Sequence, residues 1–199
     1  MPANEPLIAI AVPSGDMVHA DFAMRLATMC LNPGAHAFLI NAKSSLVMLG
    51  RNQCVAAAQQ AKATHLLFLD SDLVFPPDTL ARLLAHNKDI AGGLYTQRTP
   101  PFHPLGITLE GEHIALTSGL RRMKIMPAGC LLIRMSAFER LTKPYFNTRV
   151  EGEKLMGEDY DFCERARAAG LEIWCDGELS REIGHIGQQI FHLGAVQKA

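Results

Sequence analysis

The chain has 199 residues, is 48% hydrophobic and 20% charged, and carries a formal net charge of −1. That length buries a full core without disulfide or metal staples, and so even a charge balance offers no field for a polyanion, which sets nucleic acid aside as a partner. The five cysteines are scattered, with no CxxC pair, which argues against a disulfide framework or a thiolate zinc site and fits a reducing, cytoplasmic setting. No apolar run approaches the ~18 residues of a transmembrane segment, and MPANEPLIAIAV lacks the basic flank of a signal peptide.

Leu7 to Val12 is a short apolar run stopped by Pro13-Ser14-Gly15, a buried strand followed by a turn. Ala20 to Leu31 has helical apolar spacing and ends at Asn32-Pro33-Gly34. Ala35 to Ile40 is the next strand candidate. Arg51 to Ala63 places Cys54, Val55, Ala58 and Ala61 on one helical face, with Gly50-Arg51-Asn52 as its start. His65 to Leu69 is apolar throughout and reads as a third strand. Pro77 to His86 is a helix, with proline suited to its first turn, and Asp89 to Tyr95 another strand. This alternation predicts a largely parallel sheet with helices on both faces.

From Thr96 to Pro127 the chain is rich in Pro, Gly, Thr and His, which predicts a loop and a small antiparallel addition. Tyr95, Arg98 and His103 lie at the start of that loop. Cys130 to Ile133 is strand-like, and Ser136 opens a short helix to Leu141. Gly157 to Ala169 is a helix ended by Gly170, Leu171 to Cys175 a late strand, and residues 188–199 a tail. The expectation is one α/β domain over 1–199, with a regular half at about 7–95 and an irregular half at about 96–187.

The third strand runs directly into Asp70-Ser71-Asp72. Ligands of open α/β sheets bind at the carboxyl ends of strands. Two carboxylates one residue apart repel unless a cation or a proton intervenes, and a hard ion such as Mg²⁺ or Mn²⁺ suits oxygen ligands while keeping positions for phosphate. A phosphatase of the haloacid-dehalogenase type, with Asp70 as nucleophile and Asp72 as acid/base, also fits an Asp-x-Asp after an apolar strand. Two strand–helix units precede the motif here, and Phe75-Pro76-Pro77-Asp78 leads straight into a helix; both count against that reading.

On the helix from Gly157, Asp159 projects with Phe162 and Cys163 on the inward face, while Asp161 lies four residues before Arg165 on a polar face. Acids in a first turn suit the helix dipole, but an inward carboxylate beside a metal site is a general-base candidate. His185, between Gly184 and Gly187, is a candidate metal ligand, with His192 as its competitor. Arg51 faces inward with Cys54 and Val55; at a helix start it would be favoured by a bound diphosphate.

The ordered set VPSGD, GRNQCVAAAQQAKATHLLFLDSDLVFPPDTLARLL, AGCLLIRMSAFERL and GEDYDFCERARAAGLEIWCD followed by GHIG resembles glycosyltransferases of the GT-A fold, in particular glycosyltransferase family two and its relatives. The resemblance runs from Leu7 to about Gly187, and its specificity lies in order and spacing. It implies that Asp70 and Asp72, with Ser71 between them, bind metal and nucleotide-sugar. It further implies Pro13 and Ser14 under the nucleobase, Arg51 near the nucleotide, Gly129 lining the acceptor side, Asp159 of the Glu158-Asp159 pair as catalytic base, and His185 completing the metal shell. Asn41 stands where many relatives carry a base-reading Asp, and Pro13-Ser14-Gly15-Asp16 departs from the Gly-rich loop of nucleotidyltransferases. The implied activity is transfer of a sugar from a UDP- or GDP-linked donor to a hydroxyl acceptor with Mn²⁺ or Mg²⁺. A silent nucleotide-sugar-binding module and a homo-oligomeric state are also compatible with the sequence.

Overall fold

A computed structural model describes residues 5–99, 102–113 and 118–187. The first half alternates as expected: β1 (Leu7–Ser14), α1 (Ala20–Leu31), β2 (His36–Lys43), α2 (Val47–Gln60), β3 (His65–Leu69), β4 (Leu73–Val74), α3 (Thr79–Ala85) and β5 (Ile90–Gly92). The second half contains β6 (Ile107–Thr108), β7 (Leu120–Ile125), β8 (Cys130–Arg134), a 3₁₀ turn at Met135–Arg140, and β9 (Arg149–Glu151) paired with β10 (Lys154–Met156). It closes with α4 (Glu158–Ala168), β11 (Ile173–Asp176), α5 (Gly177–Glu182) and β12 (Gly184–His185). The expected tail and His192 lie outside the described residues.

Eight strands form one sheet in the order β2-β1-β3-β8-β5-β11-β7-β6. β2, β1, β3, β5, β11 and β6 run one way; β8 and β7 run against them. Alternate strand residues feed two cores. Leu66 and Phe68 of β3 pack with Cys54, Val55 and Ala58 of α2 and Phe162, Cys163 and Ala166 of α4. Leu67 and Leu69 face the other way, toward Phe22 and Met29 of α1, Leu80 and Leu83 of α3, and Leu179 of α5. Burial on both faces is why β3 reads as an unbroken apolar run. Among the described residues no helix is long and apolar enough to cross a membrane.

Three expectations are corrected. Helix α2 begins at Val47, not at Gly50-Arg51-Asn52. The Ser44 hydroxyl accepts from Leu46 N (3.1 Å) and turns the chain into the helix earlier. Gly50 is internal, where α2 passes close to β1: a Cβ there would sit 3.4 Å from that of Pro13. Helix α3 starts at Thr79, two residues beyond Pro77. The stretch after Cys175 folds into α5, capped by the Asp176 carboxylate accepting from Leu179 N (2.8 Å). The loop from Thr96 supplies the antiparallel addition as β6 and β7 at the far edge of the sheet.

Candidate active site

The antiparallel strand β8 shapes the site. It enters between β3 and β5 with Cys130 opposite Leu69, which sets Gly129 beside Asp70; Asp70 N donates to Gly129 O (2.8 Å). A Cβ on Gly129 would fall 2.2 Å from Tyr95 Oη and 2.5 Å from Asp70 Oδ2, so only glycine permits this approach. Tyr95 Oη accepts from Gly129 N (3.2 Å) and donates to Asp70 Oδ2 (3.5 Å). The buried Tyr95 is thus part of the site through contacts between distant segments. Burial, then the charges of Asp70 and Asp159, raise its pKa well above the usual range.

Arg51 is the centre of the acidic cluster. Its side chain is only 2% exposed and lies against the rings of Phe68 and Phe146. Its guanidinium reaches Asp70 at 3.1 and 3.2 Å, Glu158 Oε1 at 3.3 Å, the Ala128 carbonyl at 3.3 Å and Asp159 Oδ1 at 3.8 Å. Burial alone would disfavour its charge; Asp70, Asp159, Tyr95 and Glu158 outweigh it, so the net shift of its pKa is upward. Arg51 therefore does not lie at a helix start facing a diphosphate. It sits on the second turn of α2, spent on three carboxylates.

Asp159 occupies the inward face of α4 as its spacing implied. Its pKa rises to about 7: burial dominates, Arg51 opposes it, and the negative charges of Glu158 and Asp70 add to it. Asp159 Oδ1 is buried without a hydrogen bond among the described residues. Asp161 is buried rather than solvated, held by Arg149 at 2.7 Å and by Arg165 four residues on at 2.7 Å. The two acids thus separate into one held at 3.8 Å from a shared Arg51 and one fixed closely between two guanidiniums.

Asp72 points elsewhere. Its Oδ2 accepts from Arg98 Nη1 (2.9 Å), and His185 Nε2 stands 3.5 Å from the same oxygen. The β4–β12 pairing and Ile186 N donating to Asp72 O (2.7 Å) bring the late segment to this spot. His185 Nδ1 lies 2.7 Å from the Thr96 carbonyl, which can only accept. In the neutral ring Nδ1 therefore carries the proton and Nε2 keeps its lone pair, the arrangement of an oriented metal ligand.

A cleft of about 240 Å³ opens beside the two acids, lined by Pro13, Ser14 and Gly15 of the β1 end, Ser44, Ser45 and Gly50 around α2, and Asp70, Ser71 and Asp72. Pro13, Ser14 and Ser71, which the resemblance assigned to the nucleotide-sugar, line this cleft. Asn41 does not line this cleft. Its amide donates to Val12 O (2.9 Å) and Ser14 Oγ (2.8 Å), beside a separate apolar hollow. His103 stacks near His113, with ring centroids 6.2 Å apart.

Among the described residues no group of three or more His, Cys, Asp or Glu is arranged to hold a metal ion. The donors fit a sparser shell: Asp72 and His185 converge, while Asp70 is turned to Arg51. Mg²⁺ is ordinarily held by one or two carboxylates plus substrate phosphates, so two protein ligands beside an open cleft are chemically sufficient.

The architecture, a mostly parallel sheet with an antiparallel strand beside an Asp-x-Asp, is similar to the GT-A glycosyltransferase fold. The chain matches the crystal structure of A197 from STIV with a TM-score of 0.60 and 13% identity, over 94% of this chain and 97% of that one. It also matches GalNAc-T7 with UDP, GalNAc and Mn²⁺, with a TM-score of 0.53 and 12% identity, over 93% of this chain and 44% of that one. No protein-family model and no curated protein sequence matches the chain.

Proposed function

We propose that this chain is a metal-dependent glycosyltransferase that moves a sugar from a nucleoside diphosphate sugar to a hydroxyl acceptor with inversion. The observation that carries the reading is a division of acids: Asp72 and His185 converge beside the cleft, and Asp159, whose Oδ1 makes no hydrogen bond among the described residues, lies 3.8 Å from Arg51. Asp72 and His185, with Asp70 beside them, would hold Mn²⁺ or Mg²⁺. That ion, when bound, supplies charge neutralisation to the departing diphosphate. Pro13, Ser14 and Ser71 would line the donor's path along the cleft.

Arg51 serves the site from beneath. It lets Asp70, Glu158 and Asp159 coexist in a buried position without touching the donor. Asp159, with a pKa near 7, is a base matched to neutral pH and would take the acceptor proton as the hydroxyl attacks the anomeric carbon. Glu158 holds Arg51 in place. The GalNAc-T7 structure contains UDP and Mn²⁺, which supports the choice of donor and ion class. Five unpaired thiols suit a reducing, cytoplasmic setting.

The test is release of nucleoside diphosphate from a panel of nucleotide-sugars with Mn²⁺. Release that Asp72→Ala abolishes is expected. Phosphate release from a phosphomonoester, lost in Asp70→Asn, would instead establish the phosphatase. Donor binding without turnover across acceptors would establish a silent binding module.

A further inference from the structure

The two acids of the Asp70-Ser71-Asp72 triplet have each been given an arginine, and the two arginines differ in kind. Arg51 is 2% exposed and fixed by several partners, whereas the Arg98 side chain is 50% exposed and, among the described residues, forms an ion pair with Asp72 alone. Arg98 Nη1 meets Asp72 Oδ2 at 2.9 Å, the same oxygen that His185 Nε2 faces at 3.5 Å. With the His185 proton on Nδ1, that oxygen and that nitrogen are both electron-rich. At Asp72 the guanidinium supplies the positive charge that a divalent ion would otherwise supply.

The chain around Arg98 suits a movable counter-ion. Leu105 N donates to Tyr95 O (3.0 Å) and Gln97 N to His103 O (3.0 Å), so a short ladder holds residues 95–97 against 103–105. Arg98 lies just beyond that ladder, and Thr96 within it supplies the carbonyl that orients His185. The Arg98 stem runs past Gly187, where an added Cβ would lie 3.7 Å from its Cβ, Cγ and Cδ. The orienting carbonyl is therefore anchored, while the half-exposed guanidinium is held at its tip by Asp72.

We propose that Arg98 is a surrogate cation at Asp72, one that the divalent ion displaces and that then binds the donor's diphosphate. The proposal rests on the reading of Asp72 as a metal ligand. An ion arriving alone must break the Arg98–Asp72 pair and leave the guanidinium without a partner. An ion arriving with a diphosphate gives Arg98 a strong bidentate acceptor in exchange. Ion and donor thus bind cooperatively, each raising the affinity of the other by the same factor, and the carboxylate is protected from stray divalent ions. Arg98 acts as a positioning residue for the donor as well as a gate on the ion.

The experiment is a Mn²⁺ titration read by the electron paramagnetic resonance of the free ion, without nucleotide, on wild type, Arg98→Gln, Arg98→Lys and Asp72→Asn. Calorimetric titration with UDP and GDP at saturating Mn²⁺ follows. Arg98→Gln should bind Mn²⁺ alone roughly two- to fivefold more tightly, as loss of a half-exposed competing ion pair implies, yet bind the diphosphate more weakly. Arg98→Lys should stay near wild type in the first titration. Unchanged or weakened Mn²⁺ binding in Arg98→Gln overturns the proposal. If Asp72→Asn leaves Mn²⁺ binding as in wild type, the metal-ligand reading itself fails and takes the proposal with it, a result visible without any Arg98 variant.

Discussion

The guanidinium of Arg51 reaches both carboxylate oxygens of Asp70, at 3.1 and 3.2 Å, from a position that is 2% exposed. A buried cation shared by Asp70, Glu158 and Asp159 is a structural keystone for the site. Breaking a buried pair by removing one partner typically costs about 3–5 kcal/mol, because the remaining charge is left uncompensated. Arg51→Met should lower stability by that order in urea unfolding at neutral pH. The loss should shrink toward pH 5, where Asp159, with its pKa raised to about 7, takes up a proton. A loss of the same size at both pH values would mean that Arg51 acts through packing against Phe68 and Phe146.

Gly129→Ala tests the approach of β8 to Asp70. Its Cβ would fall 2.2 Å from Tyr95 Oη and 2.5 Å from Asp70 Oδ2. Overpacking of this kind costs about 1–3 kcal/mol, and the strain falls on the two side chains nearest the cleft. Mn²⁺-dependent nucleoside diphosphate binding should drop well beyond what the change in melting temperature explains. Unchanged binding would show that Asp70 has no part in holding the donor.

Asp159 gives a pH dependence with a definite sign. Its folded pKa of about 7 lies above the ordinary 3.8, so the folded state favours the protonated carboxyl. Asp159 therefore costs no stability below about pH 4, and the cost grows as pH rises to about 7 and is constant beyond. Asp159→Asn should be neutral in stability at pH 4 and stabilising at pH 8, measured by denaturant unfolding of metal-free protein. The kcat/KM of the wild type should rise with pH through the neutral range, and the variant should lose that rise along with most of kcat. A stabilisation equal at both pH values would contradict the assigned shift.

Asp161 is the control for Asp159, two residues away on the same helix. It is held at 2.7 Å by both Arg149 and Arg165. Asp161→Ala should cost about 3 kcal/mol as a broken buried network while leaving nucleoside diphosphate affinity unchanged in the folded protein. Calorimetry at a temperature well below the melting transition separates the two effects.

The features readable in advance were those set by local pattern. An apolar run with both faces buried marked β3 and hence the position of Asp70 and Asp72. The helical spacing to Phe162 and Cys163 put Asp159 inward. Arg51 was correctly placed inward but set at a helix start, because Gly50 read as the start and the Ser44 hydroxyl begins the helix earlier. The bonds from Tyr95 to Gly129 and from Arg98 to Asp72 join segments far apart in sequence, and no periodicity encodes them. Helix α5 is six residues long, too short for a helical repeat to stand out. The hydrogen bonds of Asn41 to Val12 and Ser14 likewise depend on the register of β1 and β2.

The central claim is that the cleft between Ser14 and Asp72 receives a nucleoside diphosphate with a divalent ion. A crystal structure with UDP or GDP and Mn²⁺ tests it most directly. The account predicts the diphosphate in that cleft and the ion within roughly 2.0–2.6 Å of ligands that include Asp72 and His185 but not Asp159. A nucleotide bound elsewhere, or an ion held without Asp72, would contradict it.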